Sequence, residues 1–415
     1  MIQLAALSSV VLLGFQNAPP ASRPTSAPAS ADPAARVSRE RLRAHVEYLA
    51  SDALGGRGPG SGARAASAAA SRPDPASLDG LRQAQLYVAD AFRASGLEPK
   101  GGDGWFQPFT VTAPGGRSVE GRNVVGFRAG SDPRLRDEVV ILSAHVDHLG
   151  TRGGRVFHGA DDDASGVAAM LEAARVIADA GLKPRRSLLF IGFDREEAGL
   201  EGSQHFVEHP PVPLERIALF INCDMLGREL GDVIDGWLFA LGAEHAPSLR
   251  EVVKSAAAGE TLKTGLMGTD LIGIRGDYGP FLAKKVPYLF FSTGEHGDYH
   301  QPTDTADRIV YPKLEAATRV VTRTMLAAAD APDRPVFAEP APDVEEVRVL
   351  ADILQAVADQ AKPGGKLKLS DEEATQLRVI QATVRSILRK GRVNESERDQ
   401  LRLIVTTMMQ QMRSW

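Results

Sequence analysis

Val139-Val140-Ile141-Leu142-Ser143-Ala144-His145-Val146-Asp147 is an apolar run that ends on metal-type side chains. A short, unbroken apolar run of this kind reads as a strand buried on both faces. The pattern then recurs along the chain. Ser187 to Phe193 runs into Asp194 and Glu196-Glu197, and Ile217 to Cys223 runs into Asp224. Leu289-Phe290-Phe291 leads to a loop carrying Asp298-Tyr299-His300. Ligand sites in open α/β sheets gather beyond the carboxyl ends of the strands, so these side chains are expected to meet.

Helical segments separate the runs. Ser38 to Leu49 and Ala84 to Ala94 have helical spacing, the latter ending at Gly96. Asp163 to Asp179 reads as a helix stopped by Gly181 and Pro184. Leu249 to Ala258 and Leu314 to Ala329 read as two more, and Asn123 to Phe127 as a further strand. Strands alternating with helices predict an α/β fold, a mostly parallel central sheet with helices on both faces. Residues 331–343 hold four prolines and read as a linker. Beyond it, 344–415 is expected to be a small helical extension made of Val344 to Gln360, Asp371 to Leu388 and Glu395 to Met412. Ser370 with Glu373 fits a capping box, and Asn394 suits the last helix as a cap. No residue set there suggests chemistry, so it reads as an appendage or an oligomerisation element for protein contact.

The N-terminal part reads differently. Ile2 to Phe15 is a short apolar segment like the core of an export signal, although no Lys or Arg precedes Arg23. A Pro/Ala/Ser-rich linker follows to about residue 36, and 60–75 resembles a flexible insertion. The expectation is an exported protein whose main domain spans 37–330. At 43% hydrophobic, 24% charged and a net charge of −5, the 415-residue chain gives no reason to expect nucleic acid as a partner. No internal stretch approaches the roughly 18 apolar residues of a spanning helix, so no transmembrane anchor is expected in the mature chain. The single Cys223 excludes an internal disulfide.

Each site residue has an ordinary reading beside the functional one. A lone His145 would be a satisfied polar group, but Asp147 two residues on can orient a metal-bound imidazole. Asp161-Asp162-Asp163 ahead of a helix could serve capping alone, yet capping needs one acid, and three repel one another unless a cation is present. Glu196-Glu197 could be a solvated pair. At a strand end the two point apart, so one can bind metal while the other faces a metal-bound water. In charge terms, two divalent ions balance Asp162, Glu197, Asp224 and a hydroxide, with His145 and His300 neutral. The mixed oxygen and imidazole set fits zinc, and manganese or cobalt would also bind.

Taken in order, these motifs resemble the di-zinc aminopeptidase family that includes aminopeptidase S, aminopeptidase Y and glutamate carboxypeptidase. The similarity runs from about Leu49 to Leu326. It includes Ser51 to Arg57, Trp105 to Phe109, Asn123 to Gly126, Ala144 to Gly150, Gly159 to Gly166, Glu196 to Ser203, Asn222 to Arg228 and Asp298 to Thr305. The resemblance implies a zinc-exopeptidase fold and two Zn2+ ions. By position, Asp162 would bridge them, Glu197 and His300 would complete one site, and His145 and Asp224 the other. Glu196 would be the general base acting on a zinc-bridged hydroxide, Asp147 the partner of His145, and Tyr299 a stabiliser of the tetrahedral intermediate. The implied substrate is a peptide with a free N-terminus.

Two features depart from the family pattern. Asp163 stands where the family usually has Asn, and is expected to be tolerated as a cap. Between Phe109 and Asn123 there is no room for a protease-associated insert. Alternative functions are a carboxypeptidase or dipeptidase acting on acidic peptides, with Arg228 and Arg275 as candidate grips, a glutaminyl cyclase, or a non-catalytic binding protein. The stretch Gly276 to Phe281 is a candidate substrate pocket by family position, with Phe281 and Leu282 suited either to an apolar N-terminal residue or to the core.

Overall fold

The computed structural model describes residues 32–58, 79–112 and 115–412. The signal-like segment, most of the linker after it and the insertion at 60–75 lie outside the described residues. The elements in chain order are α1 (Arg39–Leu49), α2 (Gly80–Ala94), β1 (Glu98–Pro99), β2 (Phe106–Thr112), β3 (Ser118–Arg128), β4 (Val139–His145), β5 (Gly150–Arg152) and β6 (Arg155–Phe157). Then come α3 (Gly166–Asp179), β7 (Ser187–Phe193), α4 (Glu201–Glu208), β8 (Ile217–Cys223), β9 (Trp237–Leu241), α5 (Ser248–Ala257), β10 (Lys263–Met267), α6 (Thr269–Ile272), α7 (Tyr278–Ala283) and β11 (Tyr288–Ser292). The long α8 (Tyr311–Asp330) precedes α9 (Val344–Gln360), α10 (Asp371–Lys390) and α11 (Glu395–Met412).

A nine-stranded sheet organises the molecule, in the order β1-β3-β7-β4-β8-β11-β9-β10, with β2 added on β3. Its centre is parallel, as β4 pairs with β7 and β8, and β8 with β11. The flanks differ from the expectation of a mostly parallel sheet. Strand β3 runs antiparallel to β1, β2 and β7, and β9 runs antiparallel to β11. An apolar run looks the same in either direction, so only the central strands, each followed by a crossover, could be oriented from sequence.

The pleat of β4 explains why its run is unbroken. Val140, Leu142 and Ala144 face one apolar layer with α1, α2, α3, α5 and α8, while Val139 and Ile141 face a second layer with α4, α7 and the C-terminal helices. Alternate residues of a strand point to opposite faces, so a strand covered on both sides is apolar at every position. Among the described residues no helix is long and apolar enough to cross a membrane.

The C-terminal helices cap as their sequences suggest. Ser370 and Glu373 form a reciprocal capping box on α10, and the Asn394 side chain accepts the N–H of Glu397. They do not hang free: α9 packs on β10, and α11 on α6.

Candidate metal centre

The ends of the four central parallel strands converge. His145 is the last residue of β4, Glu196 and Glu197 follow β7, Asp224 follows β8, and His300 lies in the loop after β11. Asp162 arrives from the irregular turn of 160–165 that leads into α3. Asp304 holds that turn in place: its carboxylate accepts the backbone N–H groups of Asp161 at 3.0 Å and Asp162 at 3.2 Å.

Asp162 is the hub. Its Oδ1 lies 3.1 Å from His145 Nε2, and its Oδ2 lies 3.1 Å from His300 Nε2. His145 Nε2 also faces Asp224 Oδ1 at 3.8 Å, while His300 Nε2 faces Glu197 Oε2 at 3.1 Å. The two oxygens of one buried carboxylate thus serve two separate imidazole–carboxylate sets. His145 Nδ1 donates to the backbone carbonyl of Asp147 over 3.1 Å. That bond leaves the Nε2 lone pair free to act as a ligand.

This contact corrects one expectation. Asp147 meets His145 through its carbonyl, with the carboxylate 3.8 Å from Nδ1. The carboxylate instead accepts the N–H groups of Glu196 at 3.0 Å and Glu197 at 3.3 Å. Asp163 caps as expected, accepting the N–H of Gly166 at 2.9 Å, and it also accepts those of His145 and Met225. Tyr299 stacks on His300 with ring centroids 3.9 Å apart and lines the same cavity as Glu196, Asp224 and His300.

His148 was not singled out from sequence. It is fully buried, with Nδ1 2.7 Å from Glu197 Oε1 and 3.8 Å from Asp162 Oδ2. The repeated spacing in His145-Val146-Asp147-His148 was the available signal. Of the two readings of Phe281 the core one holds: its ring stacks on Phe220 at 3.6 Å inside the second core layer and does not line the cavity. Arg228 and Arg275, the candidate carboxylate grips, are each held by acids of the protein. Arg228 pairs with Asp232 and Asp298, and Arg275 with Glu295.

The donor set fits a cation. His145 Nε2, both ring nitrogens of His148, Asp162 Oδ2 and Glu197 Oε1 are buried without a hydrogen-bond partner. Each unpaired buried polar atom costs about 1–3 kcal/mol, so several converging on one spot is a strong sign of a missing charge partner. The donor atoms of His148, Asp162 and Glu197 lie within 4.8 Å of one another, as do those of His145, Asp163 and Asp224.

The titration behaviour agrees. Burial works against charge on His300, but the Asp162 and Glu197 carboxylates it faces outweigh it and raise the ring to about 10. Burial likewise opposes charge on His145, yet Glu196, Asp162 and Asp224 carry it well above the usual imidazole range. Burial pushes Asp224 up to about 6. It also holds Glu196 well above the ordinary carboxyl range, with Asp277, Asp224 and Asp147 adding to the effect. Among protein groups alone, protons must offset crowded carboxylates, and a divalent cation does the same work without them.

Residues 123–325 match the family description Peptidase family M28. Leupeptin-inactivating enzyme 1 of Streptomyces exfoliatus is 28% identical over 228 residues, 54% of this chain and 45% of that protein. Aminopeptidase YwaD of Bacillus subtilis is 27% identical over 222 residues, covering 52% and 46%. The chain thus spans less than half the length of these relatives. In fold it is similar to a zinc aminopeptidase from Bacillus subtilis, with TM-score 0.54 and 16% identity over 74% of this chain and 99% of that one. It is also similar to a Zn-dependent exopeptidase from Parabacteroides distasonis, with TM-score 0.53 and 22% identity over 70% and 98%. On these grounds residues 123–325 are similar to Peptidase family M28, and the fold is that of the zinc exopeptidases.

Proposed function

We propose that the protein is a zinc-dependent aminopeptidase. The observation that carries the reading is Asp162, whose two carboxylate oxygens face separate imidazoles, His145 and His300, each backed by a further acid. His145, Asp162, Asp224, Glu197 and His300 would hold two zinc ions. Bound zinc supplies Lewis-acid polarisation of the scissile carbonyl and makes a bound water acidic enough to react near neutral pH.

The remaining work falls to the protein's own groups. Glu196 lines the cavity beside Asp224 and His300 without standing among the close imidazole–acid pairs. Its carboxylate takes a proton from the attacking water and delivers it to the leaving amine. The Tyr299 hydroxyl donates to the developing oxyanion, stabilising charge only as it forms. The rival use on acidic peptides needs an unpaired cation in the cavity, whereas Arg275, which lines it, faces Glu295 at 3.4 Å.

Hydrolysis of leucyl-p-nitroanilide tests the reading, with wild type compared to Glu196→Ala and each assayed with and without chelator. The expected result is activity in wild type, lost with chelator, restored by zinc, and absent in the variant. A zinc-loaded wild type that leaves every aminoacyl reporter intact would overturn it.

A further inference from the structure

The family match ends at residue 325, and α9, α10 and α11 lie beyond it. Yet the cavity lined by Glu196, Asp224, Tyr299 and His300 is also lined by Leu350 and Ile353 of α9 and by Val405, Met408 and Met409 of α11. Phe239 and Phe290 of the sheet line it as well. Leu350, Ile353, Val405 and Met408 are all buried. The cavity measures about 130 Å³, similar to an apolar cavity that accepts a benzene ring.

These helices are fastened where they are. Arg398 of α11, buried, donates through Nε to Asp270 of α6 over 2.9 Å and through Nη1 to Glu346 of α9. Arg402 adds a second bond to Asp270 at 2.7 Å. The backbone makes room for the arrangement. A Cβ on Gly268 would lie 2.5 Å from Arg398 Nη2, and one on Gly265 would lie 3.0 Å from Val349 of α9 and closer still to Phe239. Removing one partner of a buried pair of this kind leaves an uncompensated charge and is strongly destabilising, so the pairs hold the helices in place. An apolar hollow that touches a reaction centre, with a fixed wall, is what selects a substrate side chain by size.

We propose that the C-terminal helices are the specificity element of the enzyme. Ile353, Val405 and Met408 set the depth of a pocket that receives a long apolar or aromatic side chain at the scissile bond. This rests on the aminopeptidase reading for the identity of the substrate. In a pocket of this type, each methylene that fits or fails is worth about 10- to 200-fold in kcat/KM.

The test uses the full chain with three substitutions. Met408→Trp fills the hollow, Ile353→Ala deepens it, and Leu403→Trp places the same bulk on an exposed position of α11. The readouts are kcat/KM for leucyl, phenylalanyl and alanyl reporters, calorimetric binding of L-leucinol against L-alaninol, and melting temperature. Wild type should favour leucyl over alanyl in both kcat/KM and binding. Met408→Trp should cut that ratio by about tenfold or more, and Leu403→Trp, outside the cavity, should leave it alone. Ile353→Ala, which answers the question if Met408→Trp does not fold, should shift preference toward phenylalanyl. An unchanged ratio in folded, active variants overturns the inference and leaves the aminopeptidase reading standing. Length-dependent binding that Met408→Trp removes, in a protein that cleaves no reporter, upholds the pocket and removes the reading. Absence of both turnover and amino-alcohol binding overturns both.

Discussion

The Glu196 backbone N–H donates to Asp147 Oδ1 over 3.0 Å, so the carboxylate at the end of β4 holds the loop that follows β7. Its second oxygen accepts the N–H of Glu197 at 3.3 Å. One side chain therefore positions both the proposed base and a proposed zinc ligand, while its own carbonyl orients His145. Asp147→Asn keeps the shape but replaces one acceptor with an N–H donor that faces a backbone N–H. Loss of such an outer partner costs about 10- to 100-fold in activity or metal affinity. The expected outcome is a fall of that size in kcat, with KM changed less. Full activity in Asp147→Asn would remove the residue from the mechanism.

His148 makes a separate prediction. It is buried, with Nδ1 2.7 Å from Glu197 Oε1 and 3.8 Å from Asp162 Oδ2. If it tightens the cation site, His148→Ala should give up zinc to a competing chelator at about tenfold lower chelator concentration than wild type. Equal retention in the two proteins would make His148 a packing residue only.

What could be read from the chain follows from which interactions are local. The β4 run and its partners were legible because both faces of a central strand are apolar, and the site followed because it collects at those strand ends. β9 and β10 escaped. Lys263-Thr264-Gly265-Leu266-Met267 is short, carries a glycine and sits at the sheet edge, so no periodicity marks it. The second role of Asp147 was hidden because its partners Glu196 and Glu197 are remote in sequence. For α9 and α11 the apolar stripes were visible, but a stripe says that a face is covered and not by what. Their place on the wall of the cavity needed the tertiary structure.

Arg57 ends the Ser51 to Arg57 motif and is 1% exposed. Its guanidinium donates to the carbonyls of Leu49 at 2.5 Å, Val146 at 2.8 Å, His158 at 2.8 Å and Gly159 at 2.9 Å. It thereby ties the end of α1 to the turns that present His145 and Asp162. Arg57→Met keeps much of the volume but strands several buried carbonyls, each costing about 1–3 kcal/mol. A loss of at least about 3 kcal/mol is expected in the denaturant unfolding free energy. A midpoint within error of wild type would show that water reaches those carbonyls.

A last prediction concerns acid. His45 of α1 sits beside Tyr87, with Nδ1 2.7 Å from the phenol oxygen. Burial, helped by the charges of Arg41 and Arg175, lowers its pKa from 6.5 to about 4. The folded protein thus favours the neutral ring, and the unfolded chain binds the proton more readily. His45 therefore contributes stability that is fully present above pH 6.5 and is lost as the pH falls toward about 4. Across that window the loss amounts to roughly 3 kcal/mol at most. His45→Gln cannot titrate, so its melting temperature should fall less than that of wild type between pH 7 and pH 5, roughly the upper part of this window. Because the other titrating groups are common to both proteins, the difference between the two slopes isolates His45. Parallel slopes would mean that the ring is as exposed to protons when folded as when unfolded.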